Sequence, residues 1–318
     1  MTALLDVRNL TQRYRTQTGA TVHALEDTSF TLAHGEVLGI VGESGCGKST
    51  LGRAVLRLSQ PTAGQVLFEG EDILTLSRAA LRHRRREMQI VFQDPFGALN
   101  PRHRVATLIG EPLTIHGQPN VAARVAELLA LVGLPPGSER RYVHEFSGGQ
   151  RQRIAIARAL SLSPKLLVAD EPVSALDVSI QSQIINLIAD LKRRLGLAML
   201  FISHDLSVVR HVSARIAVMY LGRIVEIGPA ADLFDHPAHP YTQALLSAVP
   251  QPPGAAKRER IVLQGDLPDP TNPPPGCAFH ARCAHALPAC ATTRPDLTRR
   301  RLPDGSLRET ACHLMDPA

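Results

Sequence analysis

The sequence predicts an α/β fold, a mainly parallel sheet covered by helices, on three observations. Apolar strand-like runs alternate with helical patterns from 166 to 211, as strand 166–169, helix 178–195, strand 198–202 and helix 206–211. An apolar run at 36–41 passes directly into a glycine-rich turn and then a helix beginning near Lys48. The 318 residues are 44% hydrophobic and 20% charged, ordinary for a folded chain with a sizeable core and about two domains.

The remaining elements are read in chain order. Residues 5–10 and 23–33 predict strands on either side of a turn at Gly19-Ala20, and 65–74 predicts further strands. A short basic helix is expected at 77–86, a strand at 88–92, and mostly helix over 105–132. Another helix should open after Ser147-Gly148-Gly149. Eight of the 24 prolines fall between Pro250 and Pro275, which reads as a linker or an extended wrapping segment. No internal repeat is present.

Composition narrows the function. No apolar run approaches the roughly 18 residues that span a bilayer. The first six residues lack a basic start and a long apolar stretch, so no signal peptide is expected. The net charge of +6 comes from four lysines and 31 arginines among 35 basic residues. Such an excess suits phosphate chemistry, nucleic acid or an anionic lipid surface, or it reflects only a nucleotide-composition bias toward arginine codons.

Three motifs carry chemistry. Gly42-Glu43-Ser44-Gly45-Cys46-Gly47-Lys48-Ser49-Thr50 fits the phosphate-loop pattern between a strand and a helix. Its glycines let backbone N–H groups face phosphate oxygens, and the helix N-terminus adds about 0.3–1 kcal/mol for a nearby anion. Lys48 should reach the β and γ phosphates and the Ser49 hydroxyl should ligate Mg²⁺. The strand 166–169 ends in Asp170 and Glu171. Asp170 is placed near the metal, and Glu171 can polarise an attacking water. Two acids before Pro172 also make a good helix cap. Third, Ser147-Gly148-Gly149-Gln150 opens a helix and forms a second backbone anion site. It has no use on the chain's own nucleotide and makes sense over a γ-phosphate held by another subunit.

With these motifs in this order, residues 5–250 resemble the ATP-binding cassette (ABC) family. The resemblance implies a P-loop NTPase cassette at 1–250, with a RecA-like core, an antiparallel β subdomain and a helical subdomain at about 95–160. A Pro- and Cys-containing extension occupies 251–318. The resemblance also implies that Tyr14 stacks on adenine, although a lone Tyr near a strand end more usually serves packing. By the same resemblance, Gln93 is expected to contact Mg²⁺ and sense a membrane partner, and Ser174-Ala175-Leu176-Asp177 to cross a dimer interface or, more plainly, to cap the helix after it. His204 is expected to touch the γ-phosphate. The resemblance thus implies Glu171, His204 and Gln93 as the catalytic set, with Ser49, Gln93 and Asp170 around Mg²⁺.

The stretch from Gln93 to Arg102, the run from Glu171 to Gln181, and His239-Pro240-Tyr241-Thr242 ahead of Gly276-Cys277 resemble the dipeptide/oligopeptide importer subgroup. It also includes nickel and glutathione importers. The expected partners are a second ATPase, identical or homologous, arranged head to tail, two transmembrane permease subunits and, indirectly, an extracytoplasmic solute-binding protein. No nucleic acid is expected, and the location is the cytoplasmic face of the membrane. A soluble ABC ATPase acting on ribosomes or DNA is the alternative of a different class, but such proteins usually carry two cassettes or a long coiled-coil insertion. Cys277, Cys283, Cys290 and Cys312, spaced C-x5-C-x6-C-x21-C, match no short zinc or ferredoxin pattern. Relatives in the subgroup imply a [4Fe–4S] cluster there, with zinc or free thiols as alternatives.

Overall fold

The computed structural model describes residues 3–250, 259–301 and 305–315, and Phe96 in its backbone only. Met1, Thr2 and residues 251–258 of the proline-rich stretch lie outside the described residues. In chain order the strands and helices are β1 Leu5–Arg15, β2 Thr21–Leu32, β3 Val37–Val41, α1 Lys48–Val55, β4 Ala63–Phe68, β5 Glu71–Asp72, α2 Arg78–Arg84, β6 Met88–Val91 and α3 Pro95–Ala98. There follow α4 Val105–Ile115, α5 Val121–Leu131, α6 Gly148–Leu160, β7 Leu166–Asp170, α7 Val178–Leu195, β8 Ala198–Ile202 and α8 Leu206–Val212. The chain continues through β9 Arg215–Tyr220, β10 Arg223–Pro229, α9 Ala230–Asp235, α10 Pro240–Ser247, β11 Thr298–Arg301 and β12 Leu307–Thr310. Among the described residues, no helix is long and apolar enough to cross a membrane.

The chain divides into two compact units. The first holds residues 1–4, 33–36 and 75–202. Its β6, β7 and β8 are parallel neighbours, with Val91 opposite Ala169 and Asp170 opposite Ile202. Every residue of β7 and β8 is buried, as unbroken apolar runs require when both faces of a parallel sheet are covered. Helices α3 to α6 form the helical part. The mostly helical stretch expected over 105–132 folds as two helices, α4 and α5. Gly117 takes a φ of 63° and Asn120 a φ of 55°, and the chain turns there before α5. Gly149 lets α6 approach α7, because a Cβ on it would lie 2.4 Å from Cγ2 of Ile180. A β-branched methyl has little freedom to retreat. Gly149→Ala is therefore expected to destabilise the chain by about 1–3 kcal/mol. A denaturant midpoint equal to that of the wild type would contradict this packing.

The second unit holds 5–32, 37–74 and 203–318. One antiparallel sheet runs β2-β1-β4-β5, with Leu5 opposite both Leu32 and Phe68. A second group of strands runs β11-β12-β10-β9-β3, with β3 parallel to β9 and the other pairs antiparallel. The last strands add the C-terminal segment to this unit. β12 pairs Glu226 with Thr310, and Arg308 donates to the Glu226 carboxylate at 3.3 Å with both side chains fully buried. Glu226 also accepts the backbone N–H groups of Ala238 and His239, at 3.0 and 2.9 Å. Burial pushes the Glu226 carboxyl above its ordinary range, while these donors and Arg308 hold it down.

His239 caps α10 through Nδ1, which accepts the Tyr241 N–H at 3.0 Å and so belongs to a neutral ring. Complete burial lowers its pKa to about 3, from 6.5. This contribution to stability is therefore fully present above pH 6.5 and is lost as the pH falls toward 3, at about 1.4 kcal/mol per pH unit. Between pH 6.5 and 4, His239→Asn is expected to flatten the pH dependence of the urea midpoint. An unchanged slope would show that another group governs it.

Candidate nucleotide site

In the second unit, β3 runs into the loop 42–47 and α1 starts at Lys48. Gly47 occupies the N-cap of α1 with a φ of 103°, and a Cβ there would sit 2.3 Å from the Ala24 carbonyl oxygen. Only glycine fits both the backbone angle and the space. Lys48 is 5% exposed, and its Nζ donates to the carbonyl oxygens of Gly42 and Glu43, each at 2.8 Å. The lysine thus lies inside the loop, with its charge at the centre of the backbone cradle. Cys46 is buried, and burial raises its thiol pKa, so it acts as packing rather than as a nucleophile. Ser44, Gly45, Ser49 and Thr50 complete the loop and the first turn of α1.

Tyr14 lies on β1 opposite Val22 and is 39% exposed, an aromatic face open to solvent rather than a core contact. His204 follows β8 and is exposed. Beside it, Asp205 caps α8 by accepting the N–H groups of Ser207 and Val208, and Ser203 Oγ accepts the Asp205 N–H. These contacts fix the backbone on either side of the imidazole.

In the first unit, Asp170 ends β7 at 1% exposure and Glu171 follows with a φ of 46°. That left-handed backbone is unusual for a residue with a Cβ and costs of order 1–3 kcal/mol. It is held by the Glu171 N–H donating to Ile202 at 2.9 Å and by Ser174 Oγ donating to the Glu171 carbonyl at 3.1 Å. The turn separates the two carboxylates, leaving one buried and the other only half-buried. Gln93 is exposed, and its Nε2 donates to Glu171 Oε2 at 3.0 Å. The structure therefore brings Gln93 and Glu171 together.

Ser147 and Gln150 form a reciprocal capping box. Gln150 Oε1 accepts the Ser147 N–H at 3.0 Å and Ser147 Oγ accepts the Gln150 N–H at 3.4 Å. This fixes the start of α6, with Gly148 and Gly149 in its first turn. Ala175 and Asp177 are exposed, and Leu176 is half-buried. Asp177 occupies the N-cap position of α7, yet its side chain makes no capping hydrogen bond. A carboxylate in that position normally caps, so helix capping leaves Asp177 unexplained.

The tail cysteines give the expected iron–sulfur or zinc site no support. Among the described residues, no group of three or more His, Cys, Asp or Glu is arranged to hold a metal ion. Burial raises the thiol pKa values of Cys277 and Cys283, and that of Cys312 to about 11, with neighbouring cysteines adding to each shift. Cys290 is buried, and its carbonyl accepts the Cys277 N–H at 2.8 Å, so this pair serves to fold the segment.

Tyr241 and Arg282 are residues that the sequence did not single out for this site. Tyr241 Oη accepts the Glu43 N–H at 2.9 Å, and Arg282 donates to both carboxylate oxygens of Glu43, at 2.7 and 3.1 Å. Partners 198 and 239 residues away leave no local pattern to read.

Comparison with known proteins agrees with this geometry. The profile of the ABC transporter family matches residues 25–174, and that of the oligopeptide/dipeptide transporter C-terminal region matches 225–290. The oligopeptide transport ATP-binding protein AppF of Bacillus subtilis is 56% identical over 299 residues, covering 92% of this chain and 90% of that protein. The chain is an ABC-family ATPase.

Solved cassettes place the fold in the same family. A dimeric bacterial ABC transporter cassette superposes with a TM-score of 0.65 at 28% identity, covering 71% of this chain and 98% of that one. The cbiO1 cassette of Clostridium perfringens, part of an ABC transporter complex, gives a TM-score of 0.66 at 30% identity over 74% and 92% of the two chains. The same dimeric cassette is also known in a post-hydrolysis state with ADP and Pi. The anticipated ABC cassette is therefore the fold of this ATPase.

Proposed function

We propose that the chain is the ATP-hydrolysing subunit of an importer that carries di- or oligopeptides across the cytoplasmic membrane. The observation that carries this reading is the C-terminal segment matching the oligopeptide/dipeptide transporter region, joined to a cassette with every nucleotide motif intact. The name of AppF points the same way.

In this reading, the backbone of residues 42–50 and the Lys48 ammonium bind the phosphates of ATP, and Tyr14 stacks on the adenine. Ser49, Gln93 and Asp170 would hold Mg²⁺, whose charge neutralises the phosphate oxygens. Glu171 polarises the attacking water, with its carboxylate oriented by the Gln93 amide. His204 contacts the γ-phosphate. A second cassette, identical or homologous, presents its own Ser-Gly-Gly-Gln turn, as this chain presents Ser147, Gly148, Gly149 and Gln150 in return. Ser174-Ala175-Leu176-Asp177 lies along that interface, which accounts for an N-cap Asp177 that does not cap. Closure around ATP and reopening after hydrolysis would drive two permease subunits, fed by an extracytoplasmic binding protein. The chain then works at the cytoplasmic face of the membrane.

The test is reconstitution in proteoliposomes with the two permeases and the companion ATPase. Peptide-loaded binding protein is expected to stimulate ATP hydrolysis and peptide uptake. Stimulation by nickel or glutathione alone would overturn the substrate assignment, and no coupling to any of these solutes would overturn the importer reading.

A further inference from the structure

Residue Glu43 is fixed on three sides. Its N–H donates to Tyr241 Oη, its carbonyl accepts Lys48 Nζ, and its carboxylate takes both arms of the Arg282 guanidinium. Arg282 comes from the cysteine-bearing C-terminal segment, and its side chain is only 9% exposed. It also lies over the ring of Tyr220, 5.9 Å from the centroid. Phe279, three residues earlier, packs against both Tyr220 and Tyr241, so the segment is anchored where it meets the loop. Leu267 of the same segment reaches to 4.0 Å from where a Cβ on Gly45 would lie.

The chemistry gives this contact a purpose. A loop that binds polyphosphate carries a carboxylate at its second position, and a free carboxylate there would repel the ligand. A bidentate guanidinium cancels the charge and fixes its direction, which a lysine cannot do. We propose that Arg282 is a positioning residue of the ATP site: it neutralises and holds Glu43, so that the C-terminal segment sets how well the phosphate loop binds nucleotide. The proposal rests on the ATP reading of the loop.

The experiment uses the full-length chain titrated with a fluorescent ATP analogue, with thermal melting recorded in parallel. Arg282→Gln is expected to raise Kd about tenfold, the effect of losing one charge-assisted pair near the surface. Arg282→Lys, which keeps the charge but loses the fork, is expected to raise Kd about threefold. The decisive arm is the double variant Glu43→Gln/Arg282→Gln. With the carboxylate gone, Arg282 is no longer needed for neutrality, so binding should recover most of the loss seen in Arg282→Gln. A purely structural role would lower the melting temperature and leave the double variant no better than the single one.

The proposal is overturned if Arg282→Gln binds as tightly as wild type, or if the second substitution gives no recovery. Should Arg282→Gln fail to fold, Arg282→Lys carries the test, and an unchanged Kd overturns the proposal. A wild-type chain that does not bind the analogue, or a Lys48→Ala chain that binds it equally well, would instead refute the ATP-site reading.

Discussion

Glu171→Gln is expected to reduce ATP hydrolysis by about 10²–10⁴-fold while ATP binding persists, the range for removing a positioned general base. The substitution keeps the size of the side chain and an oxygen able to accept the 3.0 Å bond from Gln93, so the geometry around β7 should survive. Only the negative charge proposed to polarise water is lost. Unable to hydrolyse ATP, paired cassettes should accumulate in the ATP-bound closed form. Size-exclusion chromatography with and without ATP reads this directly, beside single-turnover hydrolysis. A variant that hydrolysed ATP at the wild-type rate would remove Glu171 from the reaction. The left-handed backbone at this residue would then be strain without a catalytic purpose.

Lys48→Ala should act at the earlier step. It deletes a charge placed within the loop and leaves the Gly42 and Glu43 carbonyl oxygens without that donor. Hydrogen bonds to charged groups contribute about 1.5–3 kcal/mol each, so ATP affinity should fall by at least about tenfold and turnover with it. Isothermal titration of the full-length chain with Mg·ATP separates this from the Glu171 variant, in which affinity is retained. Equal loss of binding in both variants would mean that the two residues do not divide the task as argued.

The nucleotide motifs were legible in the sequence because their chemistry is local. Gly47 must adopt a positive φ next to Ala24, and Ser147 and Gln150 satisfy one another across a single helical turn. Buried strands such as β7 and β8 were equally plain as uninterrupted apolar runs. The hairpin of β9 and β10 was missed, although its signal is present. Leu221 and Gly222, with φ of 43° and 76°, supply the paired left-handed residues of a tight turn between two apolar runs. β11 and β12 carry arginines where a half-buried strand would alternate, so their pattern reads as loop. The Arg308–Glu226 and Arg282–Glu43 pairs join residues 82 and 239 positions apart, and no local pattern in a single chain encodes such partners. The cysteine spacing matched no metal pattern, the cluster expectation came from the resemblance alone, and in the folded segment Cys290 and Cys312 are buried while Cys277 and Cys283 are half-buried.

The C-terminal strands also bear on how copies of the protein avoid one another. An uncovered β10 would offer a ladder of free backbone groups beside Ile224, Val225 and Ile227, a template on which a second chain could grow by strand addition. β12 occupies that ladder, and the outermost strand, β11, reads Thr298-Arg299-Arg300-Arg301. Three successive guanidinium-bearing residues on so short a strand make a self-repelling border, because another copy would bring the same charges alongside. Charge on an edge strand is a known brake on edge-to-edge pairing, and such repulsion should weaken as salt screens it over a Debye length of about 10 Å at 0.1 M.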